Sequence, residues 1–273
     1  MLFLFEEVLI FMIAYYVLTA LSYLFAPRII SNAKDKVKDT HLYYSYFPAA
    51  VHAIVSTILV FIKLYYEGLN DGNLPSVFSK IIVAQSLGYF IHDTVKSEIF
   101  SLNELPMRIH HLSCLVGFSN GLTRIYGPSE LCNGLLIAEF SNLFLTNRSF
   151  MKYLNLKSNV LYLINEALFA FAFIIMRIFI GPIYTTNLFY YANTPFITKL
   201  FGFMLNFISI IWVAEILSTI GMKFTMNAKS KLGIIYRKFA IGVKKSPLIF
   251  ACFFGVIAIP QIAMAIHNHL NSN

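Results

Sequence analysis

Eight runs of about twenty predominantly apolar residues recur along the chain, near 6–26, 43–64, 78–95, 108–126, 130–148, 158–180, 199–221 and 247–267. Wound as an α-helix, a run of that length crosses a ~30 Å hydrocarbon core. Lipid offers the backbone no water, so a spanning segment must be a helix or part of a closed barrel. Barrel strands would read as short alternating segments, and the sequence has no such pattern. The runs therefore predict an all-α, polytopic transmembrane helical bundle of about eight spans. The charged fraction of 12% agrees, against roughly 25% in a soluble domain. The first run carries Glu6 and Glu7 where a signal peptide has basic residues, and no small-residue cleavage site follows it, so it is expected to be a retained helix.

Loop charge sets the orientation. Sixteen of the 21 Lys and Arg fall in alternate loops: around Arg28 to Lys38, Lys96 to Arg108, Arg148 to Lys157 and Lys223 to Lys245. The intervening loops, such as EGLNDGNLPS, hold none. By the positive-inside rule the basic face is cytoplasmic or matrix-side, and both termini lie opposite. The net charge of +8 is then topogenic and suits anionic lipid headgroups. No nucleic-acid module accompanies it. The basic segment 222–246 interleaves Lys and Arg with Ile, Phe and Tyr, a pattern suited to lying along the interface. Three domains are expected: 1–40, a first helix and basic loop; 41–222, a six-helix unit; and 223–273, the interfacial loop and last helix. The Gly-Pro pairs at Gly127-Pro128 and Gly181-Pro182 read as loop punctuation on the non-basic side.

Function should reside in the polar residues within the spans, because each such ionisable group needs an interior partner or a cavity. His92 and Asp93 close the third span, and His110 and His111 open the fourth on the same side. A connection of about a dozen residues joins the two spans, so the pairs are expected at similar depth. An Asp93 carboxylate bonded to one histidine nitrogen would fix its tautomer and leave the other nitrogen basic. Such a base could serve acyl transfer. Glu139, Asn142 and Arg148 follow in the fifth span, and Arg177, Trp212 and Glu215 in the sixth and seventh. Arg177, just before Gly181-Pro182, is expected to cap a helix end or snorkel to the interface. Glu166 and Arg177 share a span three turns apart and do not reach each other. His52 reads as a bundle residue. Cys114, Cys132 and Cys252 form no metal spacing, and His92, His110, His111 and Cys114 lack a ligand triad, so no metal is expected.

An HD pair closing one span, an HH pair opening the next, and IAEFSNLFLTNR in the third resemble the TLC-domain family. MRIFIGPIY and LNFISIIWVAEI resemble further elements of that family. The likeness covers about 41–222. It implies six helices around a central cavity that takes lipid or acyl chains. In the ceramide synthase branch H-x-x-H-H and H-D-x-x-D mark the catalytic centre. Here the first keeps His110 and His111 but begins with Met107; the second reads Ala138, Glu139 and Asn142. The pattern looks like the smaller, non-ceramide-synthase branch. The resemblance implies lipid handling, with His92, Glu139, Asn142, Arg148, Arg177, Trp212 and Glu215 lining the cavity. The alternatives are an accessory subunit of a larger membrane assembly, and an acyltransferase using His110, His111 and Asp93. No cofactor is expected; acyl-CoA would be the transferase's substrate. Membrane lipids, and other membrane subunits in the accessory reading, are the expected partners. The family favours the endoplasmic reticulum, with the mitochondrial inner membrane as the alternative.

Overall fold

In a computed structural model, the described residues are 2–25 and 36–225, with single positions at 234, 238, 241 and 242. Side chains are described over 5–24 and 40–219, besides those single positions. The run at 247–267 lies outside them, as does most of the basic segment before it. Among the described residues every regular element is helical, with no strand. The helices are α1 (Leu2–Phe25), α2 (Lys36–Glu67), α3 (Val77–Ile99), α4 (Leu105–Thr123), α5 (Pro128–Glu139), α6 (Asn142–Tyr153), α7 (Val160–Ile174), α8 (Gly181–Leu188) and α9 (Phe196–Thr225). A π-helical segment, Ile175–Ile180, joins α7 to α8.

Four of these units are long and apolar enough to cross a membrane: Phe5–Leu24, Thr40–Glu67, Val160–Leu188 and Phe196–Thr219. The more polar α3 to α6 pack among them. Ile82 to Phe90 of α3 are buried without interruption, so the helix has neighbours all round. At Gly88 the approach of α1 is so close that a Cβ would come within 2.8 Å of the Met12 backbone nitrogen. Small residues allow such crossings in lipid, where packing and polar contacts replace the hydrophobic effect. The polar contacts are present: Thr19 Oγ1 lies 2.9 Å from His92 Nε2, and Gln85 donates to the Tyr15 hydroxyl.

Prolines explain two departures from regular helix. Pro48 lies inside α2 and has no N–H to offer the carbonyl four residues back. That carbonyl, on Tyr44, faces α1, 3.4 Å from Ser22 Oγ, whose one proton bonds the Thr19 carbonyl more closely at 2.7 Å. Gly181-Pro182 does not end its helix as the sequence suggested. The π segment ahead of it widens the coil, Gly181 N–H donates to the Met176 carbonyl five residues back, and the helix continues to Leu188. The wider turn accommodates a proline that an α-helix would exclude. At Gly127-Pro128 the expected break holds, with Gly127 at φ +120 as the cap of α5.

The fifth predicted span is two helices, interrupted at Phe140 and Ser141. Beside the interruption, the Ala138 carbonyl accepts from Arg177 Nη2 at 2.7 Å. Arg177 therefore neither caps a helix end nor snorkels: it is buried, 4% exposed, and points into the bundle. The interruption exposes a backbone acceptor, and the guanidinium takes it.

Candidate functional site

A cavity of about 620 Å³ opens within the bundle. Its wall draws on α2, α3, α4, α5, α6, α7, the π segment and α9, and α1 contributes no side chain to it. Helices α2 to α7 and α9, with the π segment, therefore line a central cavity. Its apolar wall includes Tyr46, Phe90, Phe169, Phe173, Trp212 and Ile216.

Asp93 comes from the last turns of α3 and His111 from the first turns of α4. The two helices run antiparallel across a short loop, so the residues meet: His111 Nε2 lies 3.3 Å from Asp93 Oδ2. Asp93 also receives a hydrogen bond from Tyr89. The other nitrogen of His111, Nδ1, has Thr94 Oγ1 and Asn103 Nδ2 each at 3.4 Å. With Asp93 ionised, and so only an acceptor, Nε2 would carry the proton and Nδ1 would offer its one lone pair to Thr94 or Asn103. His111 is thus held from both sides.

His110, a ~100° turn away on α4, has a different setting. Its ring packs edge-on to Trp212 at 5.2 Å between centroids, and its nearest polar neighbour is the Cys114 thiol, 3.7 Å from Nε2. Of the two adjacent histidines it is the one whose nitrogens are not held by strong partners, and it lines the cavity.

Glu139 lies at the end of α5, beside the interruption. Its Oε2 accepts from Asn142 Nδ2 at 3.0 Å and lies 3.7 Å from His52 Nδ1. His52 bonds on through Ser56 to Gln85, and its Nδ1, which has no hydrogen-bond partner among the described residues, lies near Glu139 on the side away from the cavity. The Arg177 guanidinium stands over the rings of Phe173 and Trp212, 5.5 and 5.9 Å from their centroids. Aromatic faces favour a cation electrostatically. Arg148 reaches across from α6 to α7, where Nε and Nη2 both bond Glu166 Oε1 at 3.1 and 2.9 Å.

Of the residues singled out from sequence, Asp93, His110, His111, Glu139, Asn142, Arg148, Arg177, Trp212 and Glu215 all line this cavity. His92 does not. One residue before Asp93, it turns to the opposite face of α3, where Thr19 and the edge of Tyr16 enclose it. Among the described residues no group of three or more His, Cys, Asp and Glu could hold a metal ion.

A second polar cluster escaped the sequence reading. Lys63 Nζ donates to the carbonyls of Gly68 and Leu69, at 2.9 and 2.6 Å, and to Asn133 Oδ1 at 3.1 Å. Asp71 Oδ1 accepts from Asn133 and Tyr184, each at 2.8 Å. Glu130 Oε1 accepts from Gly72 N–H at 3.0 Å and Thr194 Oγ1 at 2.7 Å. Together they lock the 68–76 loop onto α5, α8 and the loop before α9. Lys63, alone in an apolar run, was the available signal: a cation there must have acceptors nearby.

The TLC domain profile matches residues 47–218. The chain is 31% identical over 122 residues to the TLC domain-containing protein 1 of Mus musculus, covering 42% of this chain and 48% of that one. Against the proteins of the same name from Rattus norvegicus and Homo sapiens, identity is 35% and 34% over 95 residues, covering 33% of this chain and 37% of each. The matches span half or less of these relatives' length. No solved structure matches the chain significantly.

Proposed function

Since this chain belongs to the TLC-domain family, we propose that its six-helix core binds a membrane lipid or acyl chain in the central cavity. The observation that carries this reading is the cavity's mixed lining. Aromatic and aliphatic side chains such as Phe90, Phe173 and Trp212 line the same space as the buried Asp93, His110, Glu139 and Arg177. An amphiphile meets both needs: its chains cover the apolar wall and its polar group engages the buried ionisable residues. Anionic headgroups at the basic face are further partners, and the endoplasmic reticulum is the membrane that the family favours.

The test is native mass spectrometry of protein extracted in the mildest workable detergent. One lipid class should co-purify in stoichiometric amount and be lost from Ala170→Trp, which fills the cavity from α7. Protein that carries no bound lipid in any mild detergent, or an equal amount in the filled variant, would overturn the reading.

The pairing of Asp93 with His111 favours a second reading, acyl transfer. His110 would take the proton of a hydroxyl or amine as that group attacks an acyl carbonyl, and the His111–Asp93 pair would hold His110 and the acceptor in place. An acyl-CoA would supply the acyl group, its C–S bond breaking as the thiolate leaves and takes the proton back from His110. Product formation that persists in His110→Ala would rule it out.

A further inference from the structure

Arg177 lines two cavities. The second, of about 40 Å³, lies between α5, the π segment, α8 and α9. Three of its lining residues carry a buried polar atom with no hydrogen-bond partner among the described residues: Glu130 Oε2, Thr198 Oγ1 and Arg177 Nε. They are 1%, 2% and 4% exposed, and they come from three different elements. A buried polar atom left unmet is costly, and most of all on a charged group. Three such atoms around one cavity point to something within it.

The wall supplies a path between them. Thr198, Gly202, Asn206 and Ser209 recur at steps of four, four and three along α9, so they share one face of the helix. Thr185 stands opposite, its Oγ1 3.1 Å from where a Gly202 Cβ would be. At one end of the stripe Ser209 Oγ accepts from Arg177 Nη1 at 3.4 Å. Along α5 the interval from Glu130 to Ala138, whose carbonyl accepts from Arg177, is a helical rise of about 12 Å.

We propose that this cavity holds a short file of bound water joining Glu130 to Arg177. Arg177 Nε can only donate and an ionised Glu130 can only accept, whereas the hydroxyls and amide between them do both. Water serves both kinds of group at once. A cation would be repelled by Arg177 and an anion by Glu130. A water needs roughly 10–15 Å³ on this measure, so the space admits a few. The file hydrates the guanidinium from behind while its ring-stacked face meets the large cavity. It also joins that cavity to the Lys63–Asp71–Glu130 lock at the loop end of the bundle. The inference does not depend on which ligand the large cavity takes.

The experiment is hydroxyl-radical footprinting of the full-length protein in nanodiscs, with microsecond X-ray exposure and readout by mass spectrometry. Radicals formed from interior water modify the side chains beside it. Leu131 and Leu188 line the cavity at 2% and 3% exposure, whereas Ile82 and Val83 of α3, each 0% exposed, do not. Modification of Leu131 and Leu188 should exceed that of Ile82 and Val83 several-fold; equal modification overturns the proposal. Gly134 lines the same cavity, with open space where a Cβ would stand. Gly134→Leu should fill it and bring Leu131 and Leu188 down to the level of the α3 pair. Asn206→Leu, which removes the middle of the stripe, is read the same way if the first variant does not fold. Modification unchanged by filling would mean that the radicals arrive by another route, and the proposal falls.

Discussion

Arg148 on α6 sets two of its nitrogens, Nε and Nη2, on the single oxygen Oε1 of Glu166 on α7. The pair is part-exposed, with side chains at 28% and 20%, so water screens it and the interaction is modest. A double-mutant cycle of Arg148→Ala and Glu166→Ala, read by thermal unfolding in detergent, should give a coupling energy of about 1 kcal/mol or less. Both residues line the large cavity, so the single variants should weaken lipid retention more than they lower the unfolding temperature. A coupling well above about 1 kcal/mol would mean that the pair is shielded from water in the membrane.

Asp93→Asn keeps the shape of the Asp93–His111 contact but removes the charge that fixes the imidazole tautomer. If the chain transfers acyl groups, turnover should drop, by less than the about 10²–10⁴-fold expected for loss of the acid–base group His110 itself. The unfolding temperature should move little, because the amide still offers an oxygen to His111 and Tyr89. Turnover equal to that of wild type would remove the pair from the chemistry.

Gly88→Ala tests the crossing of α1 and α3. The new methyl would meet backbone atoms, Met12 N at 2.8 Å and Val8 O at 2.9 Å, which have no rotamer to escape into. The helices must part, at a cost of about 1–3 kcal/mol. Cross-linking between cysteines placed on facing positions of α1 and α3 should slow in parallel. An unchanged unfolding midpoint would show that the crossing has slack.

Asp71 sits in the loop between α2 and α3, where burial holds its carboxyl above the usual range despite the hydrogen bonds from Tyr184 and Asn133. An acid whose folded value is raised resists ionisation in the folded state. Its contribution to stability therefore falls as pH rises from the ordinary carboxylate value, roughly 4, through the raised one, and is level above it. Both hydrogen bonds land on Oδ1, which Asp71→Asn retains. The variant should match wild type at low pH and gain on it as pH rises through that window. Unfolding temperatures of the two proteins across pH 4–8 make the comparison; a widening gap at the acid end would reverse the assignment.

The helical bundle and most of the site residues were legible because each depends on one-dimensional signals: run length, loop charge and ionisable residues in apolar runs. Azimuth was not legible. His92 and Asp93 are neighbours in sequence and so ~100° apart on α3, and only the position of α1 decides that His92 faces Thr19 while Asp93 faces the cavity. Arg177 shows a second limit. Gly181-Pro182 reads as a helix end in any local rule, yet six residues of π-helix ahead of it carry the chain through and turn Arg177 inward. The lock around Lys63 shows a third. Its acceptors lie up to 70 residues away along the chain, and loop residues such as Asp71 look solvated until a tyrosine from α8 closes over them.

The profile match begins at residue 47, after α1, yet α1 carries partners for polar groups within it. Thr19 meets His92, and Tyr15 meets Gln85. On its own, α3 is a poor candidate for insertion, with Gln85, Ser86, His92 and Lys96 all requiring shelter. A ribosome releases α1 first. When α3 reaches the bilayer, hydroxyls spaced along α1 are already there to receive it, and Gly88 lets the two helices close. Helix α1 thus precedes in the chain a helix that is not among the four apolar spanning units, and carries partners for its polar side chains.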